Sequence, residues 1–210
     1  MPRAYRSALR GQQAESTRRR ILQVAGERFA RDGYAATSVR QLALAAGVSV
    51  NTLYAIGGKP EIFLAALIEV MDDNTEGARL IDRPDVTGVF ETEPQTLEQV
   101  LMVIAEVITA ANARAAALWT AFEEAANTDA DLAAAYEQET AKMRADGHRQ
   151  VERLVSAGLC PAPADPARTV DLMWIAGHPR NYDLLVRWAE WTPADFQQWL
   201  ATYWGNLLNP

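Results

Sequence analysis

Cysteine is nearly missing: Cys160 is the single one in 210 residues, so no intramolecular disulfide can form and nothing points to an oxidising compartment. Histidine is scarce too. His148 and His178 stand apart from each other, from Cys160 and from any carboxylate spacing that would suit a metal. No glycine-rich phosphate loop and no nucleophile beside a base can be picked out, so neither a catalytic residue, a metal nor a cofactor is expected. No run approaches the ~20 uninterrupted apolar residues of a membrane span. Residues 1–20 are polar and arginine-rich, without the apolar centre of a secretory signal. A cytoplasmic protein with no membrane partner is the expectation. Alternating strand patterns are also lacking, which leaves an all-α chain.

What is present is a strong charge asymmetry. Residues 1–59 hold ten Arg/Lys against three Asp/Glu, a net of +7, whereas residues 60–210 hold ten against twenty-four, a net of −14. The overall charge of −7 hides this division. A basic segment on an acidic body suits one surface for a polyanion and a remainder that repels it.

Helical periodicity runs through the chain. The first helix is expected from Glu15 to Asp32, with Ile21, Leu22, Ala25 and Phe29 on one face and a flexible basic arm over residues 1–14. Gly33 is its stop, and Thr37 or Ser38 caps a second helix carrying Val39, Leu42, Ala43 and Ala46. Gly47 interrupts that helix and Ser49 opens a short third one. Pro60 suits the first turn of a fourth, with Ile62, Phe63, Ala66, Leu67 and Val70 inward. Asp72 to Pro94 reads as a variable connection. Beyond it a helix is expected from Thr96 to Ala111, a separate one holding Leu118, Trp119 and Phe122, and a long one from about Asp129 to Ala157. Another starts near Asp165, splits near Gly177 because Pro179 lacks a backbone N–H, and resumes from Asn181 to Trp188. Thr192-Pro193 opens the last.

Val39 to Ile56 is the informative stretch. A helix-turn-helix needs a small residue where its helices touch, a glycine for a left-handed turn, and apolar residues that clamp the second helix. Ala43 and Gly47 supply the first two, and Leu42, Ala46, Val48, Leu53 and Ile56 the third. The second helix would then turn Ser49, Val50, Asn51 and Thr52 outward, toward a major groove ~12 Å wide. Asn51 can pair with an adenine edge, and Val50 or the Thr52 methyl can meet a thymine methyl. Thr37, Ser38, Tyr54 and Lys59 fall at helix ends, where hydroxyls and an ammonium suit phosphates. Double-stranded DNA is the partner this implies. A helical hairpin or a dimeric interaction protein without specific DNA binding is the alternative.

From Thr17 to about Leu67 the sequence resembles the TetR family of bacterial transcriptional regulators. The resemblance rests on Gly33-Tyr34, Thr37-Ser38-Val39, Ala46-Gly47-Val48-Ser49, Thr52-Leu53-Tyr54 and Lys59-Pro60-Glu61-Ile62-Phe63. One departure stands out: the segment from Tyr54 to Lys59 is one residue shorter than usual, which leaves the aim of Lys59 open while Ile56 takes the apolar role. The resemblance implies a three-helix DNA-binding domain over residues 1–59. It further implies a helical effector-binding and dimerisation domain over 60–210, and an Ω-shaped homodimer that represses transcription until a small effector changes the separation of its reading helices. All six tryptophans follow Thr109. Trp119, Phe122, Trp174, His178 and Tyr182 are the candidate ligand-binding residues, with Trp188 and Trp191 as further aromatics, and the effector is expected to be apolar or aromatic. The long helices after Asp165 are the expected dimer interface.

Overall fold

The computed structural model describes residues 2–72, 79–91 and 96–209, with side chains described for the same residues apart from 2–12 and 72. Every regular element among the described residues is helical. In chain order these are α1 (Pro2–Asp32), α2 (Val39–Ala46), α3 (Val50–Tyr54) and α4 (Lys59–Asp72). There follow α5 (Pro84–Thr87) between the 3-10 turns Leu80–Asp82 and Gly88–Phe90, then α6 (Leu97–Ala126) and α7 (Ala130–Ser156). After α8 (Pro166–Gly177) and α9 (Pro179–Tyr182) comes a π-helical segment, Asp183–Trp188, and α10 (Pro193–Leu208) ends the chain. α1 therefore continues upstream of the start expected at Glu15, through the stretch expected as an arm.

Local chemistry explains most of the boundaries. Ser38, Thr96 and Thr192 each close a reciprocal capping box with Gln41, Gln99 and Asp195, so orphan amides at the starts of α2, α6 and α10 are satisfied by neighbouring side chains. Gly33 (φ +80°) and Gly47 (φ +65°) take the left-handed turns that stop α1 and α2. α8 stops at Gly177 and the chain restarts at Pro179 with His178 as its cap, the break that the missing proline N–H predicts.

Among the described residues the buried side chains form two cores. The first joins α1, α2, α3 and α4 through residues such as Phe29, Leu42, Leu53 and Phe63, and it also takes in Leu118, Trp119 and Phe122 of α6 and Leu132 of α7. The second joins the first half of α6 to the end of α7, α8 and α10, through Leu101, Ile104, Leu154, Val170, Phe196 and Trp204. α6 passes through both, about 45 Å of helix at 1.5 Å per residue.

Two expectations are corrected here. The helix expected to end at Ala111 and the separate one around Trp119 are a single helix. Neither glycine nor proline occurs between residues 97 and 126, and Asn112 is buried rather than at a break, its Nδ2 donating to the Gly177 carbonyl at 3.0 Å. This helix is also long and apolar enough by composition to cross a membrane, contrary to the reading by uninterrupted runs. Its apolar faces, however, are covered by both cores. The second correction concerns residues 79–91 of the supposed variable connection, which pack firmly. Val86 and Val89 are buried in the second core, Arg79 grips both carboxylate oxygens of Asp146, and Arg153 donates to the Ile81 carbonyl and to Asp82. Few apolar residues occur there, but the short turns bring them to one side. Residues 73–78 and 92–94 of that stretch lie outside the described residues.

Candidate nucleic-acid interface and effector cavity

Ala43, only 2% exposed, is the small contact residue between α2 and α3, and the Val48 amide donates back to its carbonyl at 3.0 Å across the Gly47 turn. Leu53 is fully buried, while Val48, Val50 and Ile56 rest half-buried against the same core. With that side of α3 occupied, Ser49, Asn51 and Thr52 are left exposed. The Ser49 hydroxyl caps α3 by accepting from the Thr52 amide at 3.1 Å and shares a 2.8 Å hydrogen bond with the Thr52 hydroxyl. These short side chains are thus held in one arrangement, and Asn51 stands beside them.

The helix-end residues divide. Ser38 is exposed at the start of α2, and Tyr54 is 59% exposed at the end of α3. Thr37 is buried and its hydroxyl donates to the Gly33 carbonyl at 2.8 Å, which ties the end of α1 to the start of α2. Lys59 turns its ammonium over the Tyr34 ring, 4.1 Å from the centroid. Burial lowers the Lys59 pKa, partly offset by Asp129. A phosphate at Lys59 would compete with this contact. The Tyr34 hydroxyl donates to Asp129 at 2.8 Å, and burial together with that bond raises its pKa, while the same bond lowers that of Asp129. Arg40, exposed on the first turn of α2, was passed over in the sequence; its charge two residues after the capping serine was the available signal.

A cavity of about 120 Å³ lies in the second core, between α6, α7 and α8. Met71 of α4, Leu80 and Ile81, and Trp204 of α10 also line it. Of the five candidate ligand residues, Trp174 lines it. Trp119 and Phe122 belong to the first core, edge-to-face with each other at 5.6 Å, and Tyr182 packs on Phe196 at 5.0 Å. His178 sits edge-on to both Trp119 (5.7 Å) and Trp174 (5.4 Å). Its Nδ1 accepts from the Arg180 amide, and burial lowers its pKa, assisted by Arg180 and opposed by Glu123. Trp188 is exposed and Trp191 lies against Trp199. The structure therefore brings Trp174 and His178 together near the α8–α9 break and leaves the other three in packing roles.

Gln150 and Asn112 also line the cavity, and neither was singled out from the sequence. The signal for Gln150 was a polar residue in the α7 stripe Met143, Gly147, Gln150, Leu154, at helical spacing.

Residues 21–66 match the family model of the bacterial regulatory proteins, tetR family. Comparison with curated proteins finds no match. Among solved structures, one from Rhodococcus sp., described as a TetR-family transcriptional regulator, superimposes with a TM-score of 0.71 at 16% identity, covering 92% of this chain and all of that one (100%). Another so described, from Mesorhizobium loti, gives 0.70 at 19% identity over 93% and 96% of the two chains. Salmonella enterica GusR gives 0.67 at 19% identity over 92% and 95%. At such identities the likeness is one of fold. Residues 21–66 thus carry the helix-turn-helix sequence pattern of the tetR family of bacterial regulatory proteins, set in a fold shared with these solved structures.

Proposed function

We propose that the protein is a cytoplasmic, homodimeric transcriptional repressor that leaves its operator when a small apolar or aromatic effector enters the cavity. In this reading residues 1–59 are the DNA-binding part and residues 60–210 the effector-binding and dimerising part. The observation that carries it is the exposed edge of Ser49, Asn51 and Thr52, fixed by the Ser49 cap and backed by the buried Leu53. Short polar side chains preset in this way suit the major groove, with Asn51 reading a base and Ser38, Arg40 and Tyr54 contacting phosphates.

Dimerisation is supported by exposed apolar residues. Ile175, Leu184 and Trp188 lie within a short stretch of α8 and the π-helical segment, 49%, 47% and 73% exposed. A second copy covering them would set two heads at a fixed separation, and DNA half-sites repeat every ~34–36 Å. Effector response is supported by Met71, which lines the cavity from the end of α4. α4 in turn lies close under α1, where a Cβ at Gly26 would come within 3.0 Å of Val70, and Arg19 pairs with Glu69 at 3.3 Å. A molecule that displaces Met71 would carry α4, and the head with it.

Mobility shift of the full chain on the DNA upstream of its own coding sequence tests the reading. Binding should saturate, outcompete unrelated DNA, and weaken steeply as salt rises because phosphate contacts release counterions. Equal affinity for unrelated DNA would leave a helical interaction protein as the better description.

A further inference from the structure

The cavity holds a chemical signature finer than its apolar walls. Gln150 is 3% exposed, and neither its amide nitrogen nor its amide oxygen has a hydrogen-bond partner among the described residues. The indole Nε1 of Trp174 is likewise buried and unpartnered. Both residues line the cavity. Buried polar groups are nearly always paired, so donors and an acceptor left open on one void need an account. Asn112 and Trp204, which also line it, show the ordinary outcome: their N–H groups donate to the carbonyls of Gly177 and Met173.

The remaining lining argues against a charged guest. Leu101, Ile104, Ile108 and Met143 are typical of it, and no Arg, Lys or His belongs to it among the described residues. An anion would find no counter-charge. The one carboxylate, Asp146, is already held by Arg79 and Arg149, so a cation would find its partner engaged. The volume is close to that of cavities that accept a single benzene ring, ~150 Å³.

We propose that this cavity takes an uncharged molecule with a body of about one ring and one carboxamide-type group, whose carbonyl and N–H pair with Gln150 and the Trp174 indole. The inference rests on the effector reading above and supplies its ligand class. Gln150 offers a donor and an acceptor side by side, which match the acceptor and donor of an amide in two parallel hydrogen bonds. The second lone pair of the ligand carbonyl is then available to Trp174.

The test uses the full chain and three probes of one shape: benzamide, benzoate and toluene, titrated calorimetrically. Wild type should bind benzamide more tightly than benzoate. Gln150→Leu and the near-isosteric Gln150→Met should each weaken benzamide at least tenfold while leaving toluene unchanged or tighter. Thermal unfolding of each variant confirms that it is folded, and two variants guard against one that is not. Equal benzamide affinity in wild type and both variants, a preference for benzoate, or no saturable benzamide binding at millimolar concentration would each overturn the assignment. Release of operator DNA is read separately. Benzamide bound through Gln150 with the DNA held as before would uphold the ligand class and overturn the effector reading instead.

Discussion

The two cores of this molecule share α6 but are finished differently. In the first, aromatic rings meet edge-on around Phe63, with Phe29 at 4.8 Å and Tyr34 at 5.5 Å; Thr37 and Ser49 are satisfied within a few residues, the Tyr34 hydroxyl reaches Asp129, and the buried Trp119 indole N–H has no partner among the described residues. In the second, the helices enclose a void and leave an amide and an indole N–H without partners. A core filled by interlocking rings favours one arrangement and holds the exposed edge of α3 in place. A core with open volume and unpaired groups can still gain free energy from a guest, and so can couple binding to a change of shape.

The sharpest attack on this contrast is Phe63→Ala. Phe63 is fully buried, and its loss should destabilise the fold by about 3–5 kcal/mol in urea unfolding. A loss under ~1 kcal/mol, typical of a surface position, would mean the head is no tighter than the body. Asn51→Ala should weaken DNA binding by roughly 1–3 kcal/mol at one base-pair position while leaving unfolding unchanged. Tyr54→Ala, by contrast, should weaken all sequences alike; a base-specific effect would remove it from the phosphate contacts. Gly47→Ala forces a Cβ into φ +65° and should cost roughly 1–2 kcal/mol of stability, although no atom lies within 4 Å of the added methyl. An unchanged melting temperature would show that the turn relaxes.

Two smaller effects probe the seam between the regions. Tyr34→Phe removes the hydroxyl that donates to Asp129 and should lower stability by about 0.5–1.5 kcal/mol. At His178 the folded-state pKa lies below its unfolded value of ~6.5, because burial disfavours the imidazolium. The unfolded chain therefore takes up the proton first. Stability should fall as pH drops below ~6.5 and level off once the folded state is protonated too. Subtracting the pH profile of His178→Gln isolates this slope, and a difference profile that is flat below that pH would show that His178 titrates alike in both states.

Legibility in the sequence followed distance along the chain. Ser38, Gly47 and Ser49 could be placed because a cap or a left-handed turn is settled by residues three or four apart. Ser49, Asn51 and Thr52 could be read as outward because Leu42, Ala46 and Leu53 had to face in, but Val50, expected outward with them, lies half-buried against the first core. Thr37 was ambiguous: a threonine beside a capping serine looks the same whether it faces solvent or, as here, bonds the carbonyl of Gly33. Lys59 was harder still, since its contact with Tyr34 depends on how α4 meets α1. The aromatic candidates lie in the half of the chain that holds the cavity, but most of them do not line it. Tryptophan fills a core and faces a void with the same side chain, and only Trp174 among the candidates does the latter.

By itself the sequence determined the helical class, the starts and stops of most helices, the basic head and, Val50 apart, the residues that α3 presents, since each depends on periodicity, capping or charge within a short span. Tertiary structure alone decided that α6 runs unbroken through both cores, that residues 79–91 seal the second, and that Gln150 faces a void. Those outcomes rest on partners some 65 residues or more apart, such as Asn112 with Gly177 and Arg79 with Asp146, whose meeting no local pattern encodes.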